Sequence, residues 1–141
     1  MTGKWWLAIG ALCGFASVAL GAFGAHGLKQ SLRDRDLAPR EQEQRLDNWE
    51  VAARYQMYHG LALIAVGLLA SGRSRRLLHV AAAAFSAGVL IFSGCLYAYV
   101  LTGAKPWAMT VPVGGVLLLL GWLGFLLAVL LPPASTTTPN A

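Results

Sequence analysis

The sequence predicts an all-α protein: a bundle of four transmembrane helices with an amphipathic interfacial helix between the first and second spans. Three observations lead there. Of the 141 residues, 12% are charged and 57% hydrophobic, where a soluble domain carries about 25% charged residues. Four apolar runs reach the roughly 20 residues that a bilayer-crossing helix needs. The charges, finally, lie in the connections between runs and not within them. So short a chain has too little polar surface to cover itself in water, so lipid must solvate its exterior.

The charge layout supports this reading. All six acids (Asp34, Asp36, Glu41, Glu43, Asp47 and Glu50) lie between the first two apolar runs, together with six of the eleven basic residues. That segment is locally neutral. The net charge of +5 therefore comes from Lys4, Arg73, Arg75, Arg76 and Lys105, which flank apolar runs as topology anchors do. A nucleic-acid partner would need a basic face on a soluble fold, so nucleic acid is not expected. Cys13 and Cys95 differ in depth by about 10 Å at 1.5 Å per residue, too far for a disulfide, and read as apolar thiols.

The first span covers residues 5–25. Lys4, an apolar stretch and a small-residue end also describe a signal peptide, but the run exceeds a usual signal core, which favours a retained helix. The connection 26–51 carries the charges. Pro39 suits a first helical turn, and Glu41 and Glu43 suit its positive dipole end. Glu41 with Arg45 and Glu50 with Arg54 have the favourable i,i+4 orientation. Leu46, Trp49 and Ala53 share one stripe. Together these predict a helix over 39–72, unbroken or bent near Asn48. Its first third should lie along the headgroups, held there by interface-seeking Trp49, and the second span is 52–72. Short turns at 73–76 and 103–107 force antiparallel neighbours, giving spans at 79–102 and 108–131. Pro112 fits the first turn of the last span. Residues 1–131 form a single domain, and 132–141 read as a disordered tail. Seven Lys/Arg on the face with the first and third loops, against four on the other, put the first loop in the cytoplasm.

Small residues recur at helix-contact spacing. The first span has Gly10 and Gly14 in a GxxxG step, then Ser17, Gly21 and Ala25 at i+4, with Gly24 alongside. The third carries Gly94. The fourth has Gly114, Gly121 and Ala128 at i+7, with Gly115 and Gly124 beside them. In lipid, helices associate through close backbone approach more than through hydrophobic drive, so these stripes predict tight packing. The neighbour is in the same chain, a second copy, or another membrane protein.

Chemistry would concentrate near the first-loop face, in His26, Tyr55, Gln56, Tyr58, His59, Ser93, Tyr97 and Thr110. Ionisable residues in spans default to functional candidates, and His59 lies deepest. Its plainer reading is a neutral histidine hydrogen-bonded between helices. A bis-histidine metal or haem site on His26 and His59 is disfavoured, since they sit roughly 31 and 20 Å up their helices. Recognisable ligand spacings are missing as well, so neither metal nor cofactor is expected. The middle of each span lacks the Asp, Glu, Lys or Arg that a pump or cation channel usually needs. Without a nucleophile–base pair of arguable spacing, the chain does not read as an enzyme. Trp5, Trp6, Trp107 and Tyr99 read as interface anchors, and His79 as an interface residue.

The motifs GAFGAHGL at 21–28, Asn48-Trp49-Glu50 with Tyr55 and His59, FSGCLY at 92–97, TVPVGG at 110–115 and Gly121-Trp122, in this order, resemble the YgdD-like family of small bacterial inner-membrane proteins (DUF423 type). The resemblance implies a four-span protein of the bacterial inner membrane with no established activity, cofactor or substrate. Its signature positions map to Gly21, Gly24, His26, Tyr55, His59, Ser93, Gly94, Tyr97, Pro112, Gly114 and Gly115. Two departures stand out: Val111 separates Thr110 from Pro112, and the first connection is long and highly charged. The leading expectation is a non-enzymatic membrane protein that packs with lipid or protein partners and supports envelope integrity. The alternative is a small-solute or lipid-binding carrier whose cavity is lined by His26, Tyr58, His59 and Tyr97.

Overall fold

The computed structural model describes residues 3–35, 37–72 and 76–131. The expected basic turn, apart from Arg76, and the expected tail at 132–141 lie outside them. The described residues form helices α1 (Gly3–Phe23), a π-helical turn (Gly24–Leu28), α2 (Lys29–Arg33), α3 (Pro39–Gly72), α4 (Arg76–Thr102) and α5 (Lys105–Leu130). The extensive contacts follow chain order, α1 on α3, α3 on α4 and α4 on α5. Among the described residues, three helices are long and apolar enough to cross a membrane: Gly3–Arg33, Arg76–Thr102 and Lys105–Leu130. Their outer faces are apolar, with Phe15, Leu90 and Leu119 all at least 70% exposed. Water tolerates scattered apolar side chains but not whole faces of them.

The first helix is longer than expected. Helical structure continues through Ala25 and Gly27 as the π turn and then α2, so Gly27 does not terminate it. A glycine ends a helix by taking a left-handed conformation, and among the described residues only Gly103 has a positive φ, 74°. The extension also has a partner. Leu28 and Leu32 are fully buried with Trp49 and Val100.

α3 runs unbroken from Pro39 to Gly72, about 51 Å at 1.5 Å per residue. The apolar stripe of its first third packs within the molecule. Trp49 and Ala53 are buried, and the Trp49 indole donates to the Leu20 carbonyl at 2.8 Å. Its ring lies 5.5 Å from Phe23 and 4.6 Å from Tyr97, centre to centre. The stripe that suggested an interfacial helix is an intramolecular contact. At the other end of the chain, α5 starts earlier than expected. Pro106 occupies its first turn and Pro112 lies inside the helix, correcting the first-turn placement of Pro112.

Backbone approach follows a seven-residue recurrence. Along α1 and the π turn the positions turned to α3 are Gly3, Gly10, Ser17 and Gly24. Those facing back from α3 are Ala53, Gly60 and Gly67. A Cβ on Gly10 would lie 2.6 Å from the Gly60 carbonyl oxygen, and one on Gly67 would lie 2.9 Å from Leu7. On α5, Gly114 lies against the backbone of Phe92 and Gly121 against the Phe85 ring, while Gly88 of α4 takes Leu118. Ala128 completes the stripe and is buried. A period of seven keeps one seam facing its partner in left-handed crossings, the common geometry of membrane helices. The GxxxG partner Gly14 reaches only the Met57 sulfur at 3.8 Å, Gly115 only touches the Phe92 ring at 3.9 Å, and Gly21 and Gly94 face open space. The two cysteines are free thiols, Cys95 buried and Cys13 half-buried.

Candidate functional site

Polar side chains inside the helical layer are bonded to neighbouring helices. His59, 5% exposed, is the deepest ionisable one. Its Nδ1 lies 2.7 Å from the Tyr55 carbonyl oxygen and therefore carries the proton that bridges them. Its Nε2 accepts the Trp122 indole N–H at 3.2 Å. Both ring nitrogens are thus engaged, and the imidazole is neutral. A second pair has the same chemistry: the Trp6 indole of α1 donates to Nδ1 of His79 on α4 at 2.9 Å. Trp6 is buried, so it is a helix tie and not the interface anchor expected. Trp5 and Trp107 are exposed, and Tyr99 packs beside Leu28 and Trp49. The two tryptophan–histidine bonds join α1 to α4 and α3 to α5, helices that are not consecutive in the packing order.

A second set converges on one turn of α3. Ser17 of α1 donates to the Ala53 carbonyl at 2.7 Å, and Ser93 of α4 to the Ala52 carbonyl at 2.9 Å. The Tyr97 hydroxyl donates to Gln56 Oε1 at 3.1 Å, and Gln56 Nε2 donates to the Cys13 carbonyl at 3.1 Å. This chain links α4, α3 and α1 within a few residues.

A third set closes the end of α4. Arg45, 8% exposed, donates to the Val100 carbonyl at 3.1 Å and pairs with Glu41 at 2.8 Å. Arg35 donates to the Leu101 carbonyl at 3.0 Å. Two cations thus meet the negative end of the helix dipole. Gly103 continues the cap, its N–H bonding back to Tyr99 at 2.7 Å in the left-handed conformation.

The expected polar constellation is divided among these places. Ser93, Tyr97 and Gln56 meet around α3, and His59 lies about one turn further along it, bonded back to the Tyr55 carbonyl. Tyr55 is exposed on one edge and stacks on Phe92 at 4.7 Å. His26 is exposed on the π turn, its Nδ1 3.3 Å from the Ala22 carbonyl of its own helix. The residues of α1 that face His59's neighbour Gly60 are Gly10 and Cys13, which leaves His26 roughly 20 Å away along that helix. Thr110 is exposed and bonds back to Pro106. Tyr58 is exposed and lines a groove of about 610 Å³ between α1 and α3. That groove is lined by Gly21, Ala25, Trp49, Ala53 and Met57 and by the charged residues Lys29, Asp47, Glu50 and Arg54. Of the four residues expected to line a cavity, Tyr58 alone lines this one. Sequence reasoning missed the role of Trp122, the Trp6–His79 pair and the two arginines that cap the end of α4. An indole N–H inside a span needs an acceptor, and that signal could have matched the tryptophans to His59 and His79.

The family described as "Protein of unknown function (DUF423)" matches residues 20–115. A UPF0382 membrane protein of Staphylococcus aureus (strain bovine RF122 / ET3-1) is 40% identical over 125 residues, covering 89% of this chain and 94% of the relative. Another, from Staphylococcus haemolyticus, is 41% identical over 120 residues, 85% and 90% of the two chains. A third, from Staphylococcus epidermidis (strain ATCC 12228 / FDA PCI 1200), is 39% identical over 127 residues, 90% and 96%. No solved structure matches the chain. The matches cover nearly the whole length of these relatives, each named a membrane protein, and the chain belongs to this DUF423 family of membrane proteins of unknown function.

Proposed function

We propose that the protein is a four-span, multi-pass protein of the bacterial inner membrane, non-enzymatic, whose role in the envelope is structural. The second span is the latter part of α3. Composition alone does not select it, because Gln56, His59 and the charges before them dilute its hydropathy. Its Gly60 and Gly67 nevertheless lie against apolar α1, and Ala52 takes a hydrogen bond from Ser93 of α4. A helix seated between two membrane-crossing neighbours crosses with them. The count of basic residues favours a cytoplasmic first connection. The partners are membrane lipids, with a second copy or another membrane protein as further candidates.

The observation that carries the structural reading is the bonding of His59. Its two nitrogens are taken by a carbonyl and an indole, leaving no lone pair or proton for a substrate. Purified protein with His59→Ala should melt several degrees lower than the parent, and neither protein should move solutes into liposomes. A flux supported by the parent and abolished by His59→Ala, with the melting temperature unchanged, would overturn the reading.

A further inference from the structure

The groove between α1 and α3 is lined by apolar residues and by four charged ones, Lys29, Asp47, Glu50 and Arg54. We propose that it binds a zwitterionic aminophospholipid, with one acyl chain along Gly21, Ala53 and Met57 and the headgroup among Lys29, Arg54, Asp47 and Glu50. The proposal rests on the four-span reading above, because the depth of the groove is measured against those spans.

Space comes first. α1 touches α3 closely at Ser17 and Gly24, but a Cβ on Gly21 would meet nothing within 4 Å. Small residues at 21, 25 and 53 leave the volume open. In a bilayer such a volume does not stay empty, since a void forfeits the dispersion contacts that a lipid tail supplies. Depth comes next. Gly21, Ala53 and Met57 fall within the expected spans, as does the backbone of Arg54, whose side chain reaches back to Glu50, while Lys29 lies eight residues beyond Gly21, about 12 Å along the helix. The groove therefore crosses from hydrocarbon to headgroup level, as a phospholipid does.

Charge selects the headgroup. The rim carries two cations and two anions, all exposed. Arg54 and Glu50 are only loosely paired, at 3.7 Å, so each is able to turn to a ligand. A purely basic rim would collect anionic lipids. Here Lys29 and Arg54 match a phosphate, for which a guanidinium offers paired donors. Asp47 and Glu50 match an ammonium that carries hydrogens. A phosphoethanolamine headgroup presents both groups. Phosphocholine has no N–H to donate, and phosphoglycerol has no cation.

The test reconstitutes the full chain into nanodiscs of equal parts phosphatidylethanolamine, phosphatidylglycerol and phosphatidylcholine, then counts retained lipids by native mass spectrometry. Phosphatidylethanolamine should be retained at least about tenfold over either competitor. Gly21→Leu, which places a side chain in the open volume, should reduce that retention about tenfold. The double variant Asp47→Asn with Glu50→Gln changes only exposed groups, and should shift preference about fivefold toward phosphatidylglycerol. Equal retention of the three lipids overturns the proposal, as does ethanolamine lipid retained unchanged by the double variant. Failure of the chain to enter nanodiscs would sink the four-span reading along with it. Entry without selectivity removes the groove proposal alone.

Discussion

At the scale of single residues, the histidines are the informative atoms. A ring nitrogen facing a carbonyl must carry the proton, and one facing an indole N–H must be bare. His59 meets both conditions at once, and His79 meets the second. Interhelical hydrogen bonds in membranes contribute about 0.6 kcal/mol on average and up to ~2. A double-mutant cycle on His59→Leu and Trp122→Phe should therefore return a coupling of about 0.5–2 kcal/mol in thermal or denaturant unfolding. A coupling near zero would mean that the pair contributes no specific bond. Arg45 poses a second question at this scale. Its guanidinium bonds Glu41 and Val100 and lies against Gly103, where a Cβ would come within 2.6 Å of Nη2. Lysine offers one charge and no planar fork. Arg45→Lys should accordingly destabilise the protein nearly as much as Arg45→Met. Full melting-temperature retention in the lysine variant would show that charge alone suffices there.

At the scale of helices, a seven-residue seam of small residues decides which faces meet. Gly114→Leu should abolish folded protein in mild detergent, because the Phe92 backbone occupies the added volume, whereas Gly94→Leu should express and melt like the parent. Comparable behaviour of the two by size-exclusion chromatography would remove the seam from the account. The apolar runs, the turn at Gly103 and the start of α3 at Pro39 were legible from length, hydropathy and turn chemistry. Which glycines touch was only partly legible. Gly10, Gly14, Ser17, Gly21 and Gly24 satisfy both i+4 and i+7 spacings, and periodicity alone does not say which face a partner covers. The extension beyond Ala25 was hidden for a related reason: Leu28 and Leu32 gain a partner only once Trp49 and Val100 arrive from distant positions. Trp49 itself suits an interface by composition, and only tertiary contact shows its indole bonded to Leu20. The polar residues divided differently from expectation because sequence sets depth along a helix more reliably than rotation about it. Tyr58 and Thr110 are exposed, whereas Ser93 and Tyr97 bond to α3.

At the scale of the whole molecule, the number of crossings turns on α3. Composition selects three helices, and an odd number would leave the two ends of the chain on opposite sides. The four crossings proposed above rest on α3 lying antiparallel to α1 along Gly10–Gly60 and Gly3–Gly67 contacts. The decisive sites are those just before and just after the α3 span. In a background with Cys13 and Cys95 replaced by alanine, single cysteines at Glu43, Arg76 and Lys105 test the arrangement, since all three positions are exposed. A membrane-impermeant maleimide should label Glu43→Cys and Lys105→Cys from the same side of sealed vesicles, and Arg76→Cys from the other. Inverting the vesicles should exchange the two patterns. Labelling of Glu43→Cys and Arg76→Cys from one side would mean that α3 does not cross. Its polar residues would then face water, and the groove on α1 would lose the hydrocarbon depth on which its proposed lipid depends.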